Sequence, residues 1–181
     1  MDLTFITSNQ NKADFLAKWL GHPVKHHKLD LDELQSLDLH VIVEHKVRQA
    51  YDIAKKPVLV EDAAFMFAAM GRLPGPFIKW FVEEIGYEGV LKLAHSLPSR
   101  EAYAEVCYGY YDGKELRLFD GKMHGRIADT PRGSGGFGFD PIFINDGYDI
   151  TRAEMDEETY AKTSYRTDAM KKLKPFLDSL I

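Results

Sequence analysis

The chain has 181 residues, 45% hydrophobic and 12% aromatic, which suits one globular domain with a packed core. Its formal net charge of -5 argues against a general nucleic-acid binder, which carries a basic excess. A single cysteine excludes an intramolecular disulfide and fits a reducing compartment. No leader and no membrane-length apolar run is visible, so a cytoplasmic protein with no membrane partner is expected.

Residues 3–8 read as a short buried strand that runs directly into a helix over residues 11–20. That helix gathers Phe15, Leu16, Trp19 and Leu20 on one face, and Gly21 and Pro23 stop it. Val24 to Leu31 reads as a second strand, and residues 40–55, free of glycine and proline, as a second helix. Pro57 to Val60 is a β-branched run that reads as a buried strand ending at Glu61-Asp62. The order β-α-β-α-β predicts an α/β sheet. Residues 77–96 read as helix in one or two pieces, broken near Gly86. From residue 101 the texture alternates, and Asp112-Gly113 signals a hairpin whose return arm runs through Gly125 and Ile127. Residues 129–138 form a glycine-rich loop. Residues 164–180 read as a terminal helix, capped by Ser164 and kinked or broken at Pro175.

Four segments carry potential chemistry. Thr7, Ser8 and Asn9 at a helix start, with Lys12, offer hydroxyls, an amide, backbone N–H groups and a point charge to a phosphate. Alone, they read as helix capping by Ser8 or Asn9 beside a solvated lysine. Glu61 and Asp62 follow a buried strand, where ligands of α/β sheets sit. Neighbouring strand residues point to opposite faces, so one of the two faces a given site. Such an acid can hold Mg²⁺ or take a proton from water; it can equally close a salt bridge. Arg72-Leu73-Pro74-Gly75-Pro76 before an aromatic helix is a rigid turn, suited to core packing or to walling a ligand. Phe137, Gly138, Phe139 and Asp140, with Ser164-Tyr165-Arg166, combine aromatics for stacking with an arginine donor. His22, His26 and His27 lack an ordered ligand spacing and read as exposed. Cys107, on an alternating strand, reads as core.

Taken together, TSNQNK at 7–12, VLVEDAAF at 58–65, LPGPFIKWF at 73–81, FGFDPIF at 137–143, AEM at 153–155 and SYR at 164–166 resemble the inosine triphosphate pyrophosphatases, the non-canonical purine NTP pyrophosphatases. The matches run in order over nearly the whole chain. The resemblance implies an elongated mixed α/β sheet in two lobes flanked by helices, with a central nucleotide cleft, and a homodimer. It implies Mg²⁺-dependent hydrolysis of a non-canonical purine triphosphate to monophosphate and pyrophosphate. By position, Thr7, Ser8, Asn9, Lys12 and Lys46 would line the triphosphate, and Glu33, Glu61 and Asp62 would supply the metal-site acids. Asp62 would also activate the water. Phe137, Gly138, Phe139 and Asp140 would contact the base, with Lys162, Ser164, Tyr165 and Arg166 completing that region.

Three positions depart from the family pattern. Tyr165 stands where the family has histidine, Tyr160 where it has lysine, and Ala63 where it has serine or threonine. Phosphate and metal residues are kept, so retained catalysis with altered base choice or affinity is the expectation. The alternative is a nucleotide-binding protein whose base specificity has changed or whose catalysis is lost. A dinucleotide oxidoreductase is disfavoured because the first strand–helix turn lacks G-x-G-x-x-G.

Overall fold

The computed structural model describes residues 3–180. A seven-stranded mixed sheet carries the chain: β1 (Thr4–Ile6), β2 (His26–His27), β3 (Val58–Phe67), β4 (Pro74–Gly75), β5 (Glu101–Tyr111), β6 (Leu116–Ile127) and β7 (Phe143–Asn145). Its order is β2-β1-β3-β5-β6-β7, with β4 added to β3. The helices are α1 (Gln10–Leu20), α2 (Leu39–Ala54), α3 (Ile78–His95), α4 (Glu157–Lys162) and α5 (Tyr165–Asp178). The chain divides into two compact units. The first comprises the chain up to Asp62, Val106–Gly121 and the chain from Asp168; the second comprises Ala63–Glu105 and Lys122–Thr167. Strands β3, β5 and β6 contribute residues to both.

In the first unit β1 runs parallel to both neighbours, with Phe5 opposite His26 and Leu59. Parallel strands are covered on both faces, so they are uniformly apolar. Phe5 and Val58, Leu59 and Val60 are accordingly fully buried. Helix α2 buries Leu39, Ile42, Val43, Val47 and Ala50, the three-to-four-residue spacing of one helical face. Asp38 caps it by accepting from the His40 N–H at 2.9 Å. The α5 end packs Phe176 edge-on to Tyr110 at 5.0 Å.

In the second unit Phe65 stacks on Phe139 at 4.3 Å and meets Phe143 edge-on at 5.4 Å. Strand β7 pairs antiparallel with β6, and Gly125 lies opposite Asn145. A Cβ on Gly125 would strike the Ile144 carbonyl, so this close strand approach requires glycine. Helix α3 is interrupted at Gly86, whose φ of 63° and ψ of 177° are non-helical, where the sequence places the break.

The structure corrects three expectations. β3 does not end at Glu61-Asp62 but continues to Phe67, because Phe65 and Met66 pair with β4 and both acids find cationic partners. The second strand is only His26–His27 rather than Val24 to Leu31, because β1 offers just three residues to pair with. The terminal helix starts where expected, just after Ser164, but it does not break at Pro175. It begins at Tyr165, after a separate α4, and passes Pro175 to reach Asp178. Pro175 falls in the last turn, which buried Leu177 and the Phe176 contacts hold in place.

Candidate active site

The turn after β1 is organised by side chains. Thr7 Oγ1 accepts from the Asn9 N–H at 3.0 Å, and Asn9 Oδ1 accepts from the Lys12 N–H at 3.4 Å. Asn9, not Ser8, is therefore the N-cap of α1, and Ser8 is exposed. Satisfying these N–H groups with a hydroxyl and an amide explains why the turn works without glycine.

Two helices each deliver one lysine to consecutive residues of β3. Lys12 on α1 lies 3.2 Å from Glu61 Oε1. Lys46 on α2 lies 3.0 Å from Asp62 Oδ2 and donates to the Glu61 carbonyl at 3.4 Å. The Glu61 side chain is fully buried, whereas that of Asp62 remains 27% exposed. Asp62 is thus the acid of the two that solvent can reach. Burying Glu61 charged demands a partner, which Lys12 provides. The result is a balanced pair of cations and pair of anions within the first unit. Such a set can in principle exchange partners, the lysines offering charge to a polyanion and the carboxylates to a divalent cation.

Glu33 lies exposed in the stretch between β2 and α2. Its neighbour Asp32 ties that stretch to α2, donating from its N–H to Gln49 Oε1 at 2.9 Å and accepting from Gln49 Nε2 at 3.0 Å. Glu33, Glu61 and Asp62 do not gather within 4.8 Å of one another. The donor set nonetheless suits Mg²⁺, which takes one or two carboxylates and fills its remaining positions with phosphate oxygens and water.

The second unit holds the other predicted residues, and their duties differ. Phe139 is buried against Phe65; Phe137 stays half-buried, with the Arg166 guanidinium 4.8 Å from its ring centre. Asp140 is buried at the centre of a network. Its Oδ1 accepts from Arg152 Nε at 3.0 Å, and its Oδ2 accepts from the Phe137 N–H and the Tyr160 hydroxyl, each at 2.8 Å. Gly136, with φ of 67°, packs so tightly on Asp140 that a Cβ would strike the carboxylate. The glycine-rich loop is therefore bound to a fixed acid. Gly138 is exposed, and its carbonyl accepts from the Tyr87 hydroxyl at 2.6 Å.

Ser164 accepts from the Arg166 N–H at 3.2 Å, the capping role expected of it. Arg166 Nη1 donates to the Tyr165 hydroxyl at 2.7 Å, and its guanidinium lies 4.7 Å from that ring's centre. Tyr165 thus acts on the arginine beside it. Ala63 is half-buried on β3, and Lys162 is exposed at the end of α4.

Sequence reasoning missed Arg152, which is 1% exposed. Besides Asp140, it donates to Asn145 Oδ1 at 3.0 Å and Thr163 Oγ1 at 3.2 Å. A signal existed: Thr151 and Glu154 form a capping box around it, legible as T-x-x-E.

Tyr160, where the family has lysine, belongs to this network. Burial, then the Asp140 charge, push its hydroxyl up from 10.0 to about 12. Its contribution to stability is complete below pH about 10, the unfolded value, and is lost as pH rises toward about 12. Tyr160→Phe is expected to remove that part of the alkaline decline, measured as unfolding free energy at stepped pH.

A model of the Ham1 family matches residues 3–176. Inosine triphosphate pyrophosphatase 2 of Trypanosoma cruzi (strain CL Brener) is 44% identical over 176 residues, spanning 95% of this chain and 90% of the relative. The inosine triphosphate pyrophosphatase of Schizosaccharomyces pombe is 38% identical over 98% of this chain and 95% of its own length. The dITP/XTP pyrophosphatase of Thermococcus kodakarensis is 36% identical over 98% and 97%. Among solved structures, the Ham1 protein of Staphylococcus aureus superposes with a TM-score of 0.86 at 24% identity, covering 99% of both chains. A HAM1 protein from Coxiella burnetii gives 0.82 at 23% identity and 98% coverage of both.

Proposed function

The chain belongs to the Ham1 family, and on that premise we propose that it hydrolyses non-canonical purine nucleoside triphosphates (ITP, dITP and XTP) to monophosphate and pyrophosphate. The observation that carries this reading is the delivery of Lys12 and Lys46, from two helices, onto Glu61 and Asp62 of one strand. A binding module has no need of a partly exposed carboxylate held beside a lysine in this way.

A triphosphate carries too many charges to be held without cationic partners. Lys12, Lys46 and the α1 N-terminus supply them, with Thr7, Ser8 and Asn9 reaching toward phosphate oxygens. Asp62 takes the proton from the attacking water. The water oxygen bonds to the α-phosphorus as the bridging oxygen to the β-phosphorus departs with pyrophosphate. Glu33 and Asp62, with Glu61 behind them, would hold Mg²⁺, whose contribution is to offset charge on the attacked and leaving phosphates.

Base choice rests with the second unit. Inosine and xanthosine present an acceptor oxygen where adenine presents a donor amino group. Arg166 is an arginine donor of the right kind, and a site built around such a bond can reject its absence by about 10⁴-fold or more. Tyr165 orients that arginine through its hydroxyl, while Tyr160 is engaged with Asp140. We take the protein to act as a cytoplasmic homodimer, as the family resemblance implies.

The test is a panel of ITP, XTP, dITP, dUTP and the four common triphosphates with Mg²⁺, assaying pyrophosphate and orthophosphate separately. Pyrophosphate from ITP, dITP and XTP is the expected result. Pyrophosphate from another base would overturn the substrate assignment. Binding of nucleotide with no turnover of any would replace the enzyme with a non-catalytic binder.

A further inference from the structure

Three ligand-bearing side chains of different chemistry converge in the first unit, each from a different element. His40 stands in the first turn of α2, Cys107 on β5 and Asp120 on β6. One ligand atom from each lies within 4.8 Å of the other two. His40 Nε2 is 2.9 Å from both carboxylate oxygens of Asp120. Counting outward from the hairpin ends at Tyr111 and Leu116 places Cys107 opposite Asp120, so the strand pairing itself aligns thiol and carboxylate.

We propose that His40, Cys107 and Asp120 form a transition-metal site that takes Zn²⁺, with water in the fourth position. A nitrogen, a sulfur and an oxygen donor form a set that zinc accepts and Mg²⁺ does not. Bonds of about 2.0–2.3 Å in a tetrahedral site put ligand atoms roughly 3.3–3.8 Å apart. The observed separations therefore need adjustment on the order of 1 Å, within reach of side-chain rotation. Access is available, since the His40 and Asp120 side chains are 53% and 50% exposed, while Cys107 closes the site from beneath.

The same surroundings argue against a nucleophilic role for the thiol. Burial, then the Asp120 charge, push Cys107 well above its ordinary value, whereas a reactive cysteine needs a depressed one. A bound metal changes this, because it displaces the thiol proton directly. Occupation would tie the start of α2 to two strands of the sheet. That helix also carries Lys46, so the site lies on an element the proposed chemistry uses.

Cys107 is the sole cysteine of the chain, which makes the test specific. The intact protein, stripped with chelator, is titrated with Co²⁺ and followed by absorption. One equivalent of Co²⁺ giving a thiolate-to-cobalt charge-transfer band, reversed by Zn²⁺, is expected. Cys107→Ser should abolish the band. His40→Gln, at an exposed position that does not threaten folding, should weaken Co²⁺ binding at least tenfold. Co²⁺ binding without the band, or a band and affinity unchanged in His40→Gln, would overturn the site, as would no binding at all. Turnover is not read here, so the outcome is independent of the triphosphate panel.

Discussion

Asp62→Asn is expected to lower turnover by about 10²–10⁴-fold, the usual contribution of a positioned general base, while the protein stays folded. Asparagine has nearly the same shape, and its side-chain oxygen can still accept from Lys46, now 3.0 Å from Asp62 Oδ2. What it lacks is the negative charge and the ability to take a proton. The loss should appear in kcat rather than as a failure to bind nucleotide, because the lysines proposed to meet the phosphates remain. Pyrophosphate release under saturating substrate, together with thermal unfolding of the variant, makes the measurement. Near-normal turnover would remove Asp62 from the chemistry and leave its ion pair as its only role. Glu61 is a useful contrast. Its side chain is fully buried and bound to Lys12, so changing it should disturb stability as well as activity.

Arg152→Met is expected to destabilise the fold by about 3–5 kcal/mol, the range for removing one partner of a buried ion pair. Arg152 is 1% exposed and Asp140 3%. Deleting the guanidinium leaves the Asp140 carboxylate buried with only the Phe137 N–H and the Tyr160 hydroxyl as donors. It also strips Asn145 and Thr163 of a donor. At roughly 2–4 °C per kcal/mol for a chain of this size, the melting temperature should fall by roughly 6–20 °C. The double variant Asp140→Asn with Arg152→Met should lose less than the two single losses combined, because the uncompensated charge has gone. Additive losses would mean that the two residues do not act as a pair. Since Asp140 also fixes Gly136 and Phe137 of the glycine-rich loop, the single variant should additionally weaken discrimination among bases.

Local chemistry was legible in the sequence wherever a pattern repeats within one element. The glycine- and proline-free run of α2, the Asp112-Gly113 hairpin and the break at Gly86 depend on neighbours in the chain. So do the caps, which use residues two or three positions apart. The motifs at 7–12, 58–65, 73–81, 137–143, 153–155 and 164–166 together were sufficient to indicate the family. The tertiary structure alone decided which partners those residues have. β3 runs on through two consecutive acids because α1 and α2 bring lysines to them and β4 pairs with the strand beyond. Phe139 belongs to the core and Phe137 does not, a distinction set by Phe65, which lies far away in sequence. Arg152 is buried because Asp140, Asn145, Thr163 and Tyr160 surround it, and no periodicity marks such a network. The meeting of His40, Cys107 and Asp120 likewise arises from packing a helix start on a hairpin. Burial of charge is settled by contacts distant in sequence, and that is why the sequence by itself supplied most candidates for the triphosphate and base regions but neither Arg152 nor the pairings.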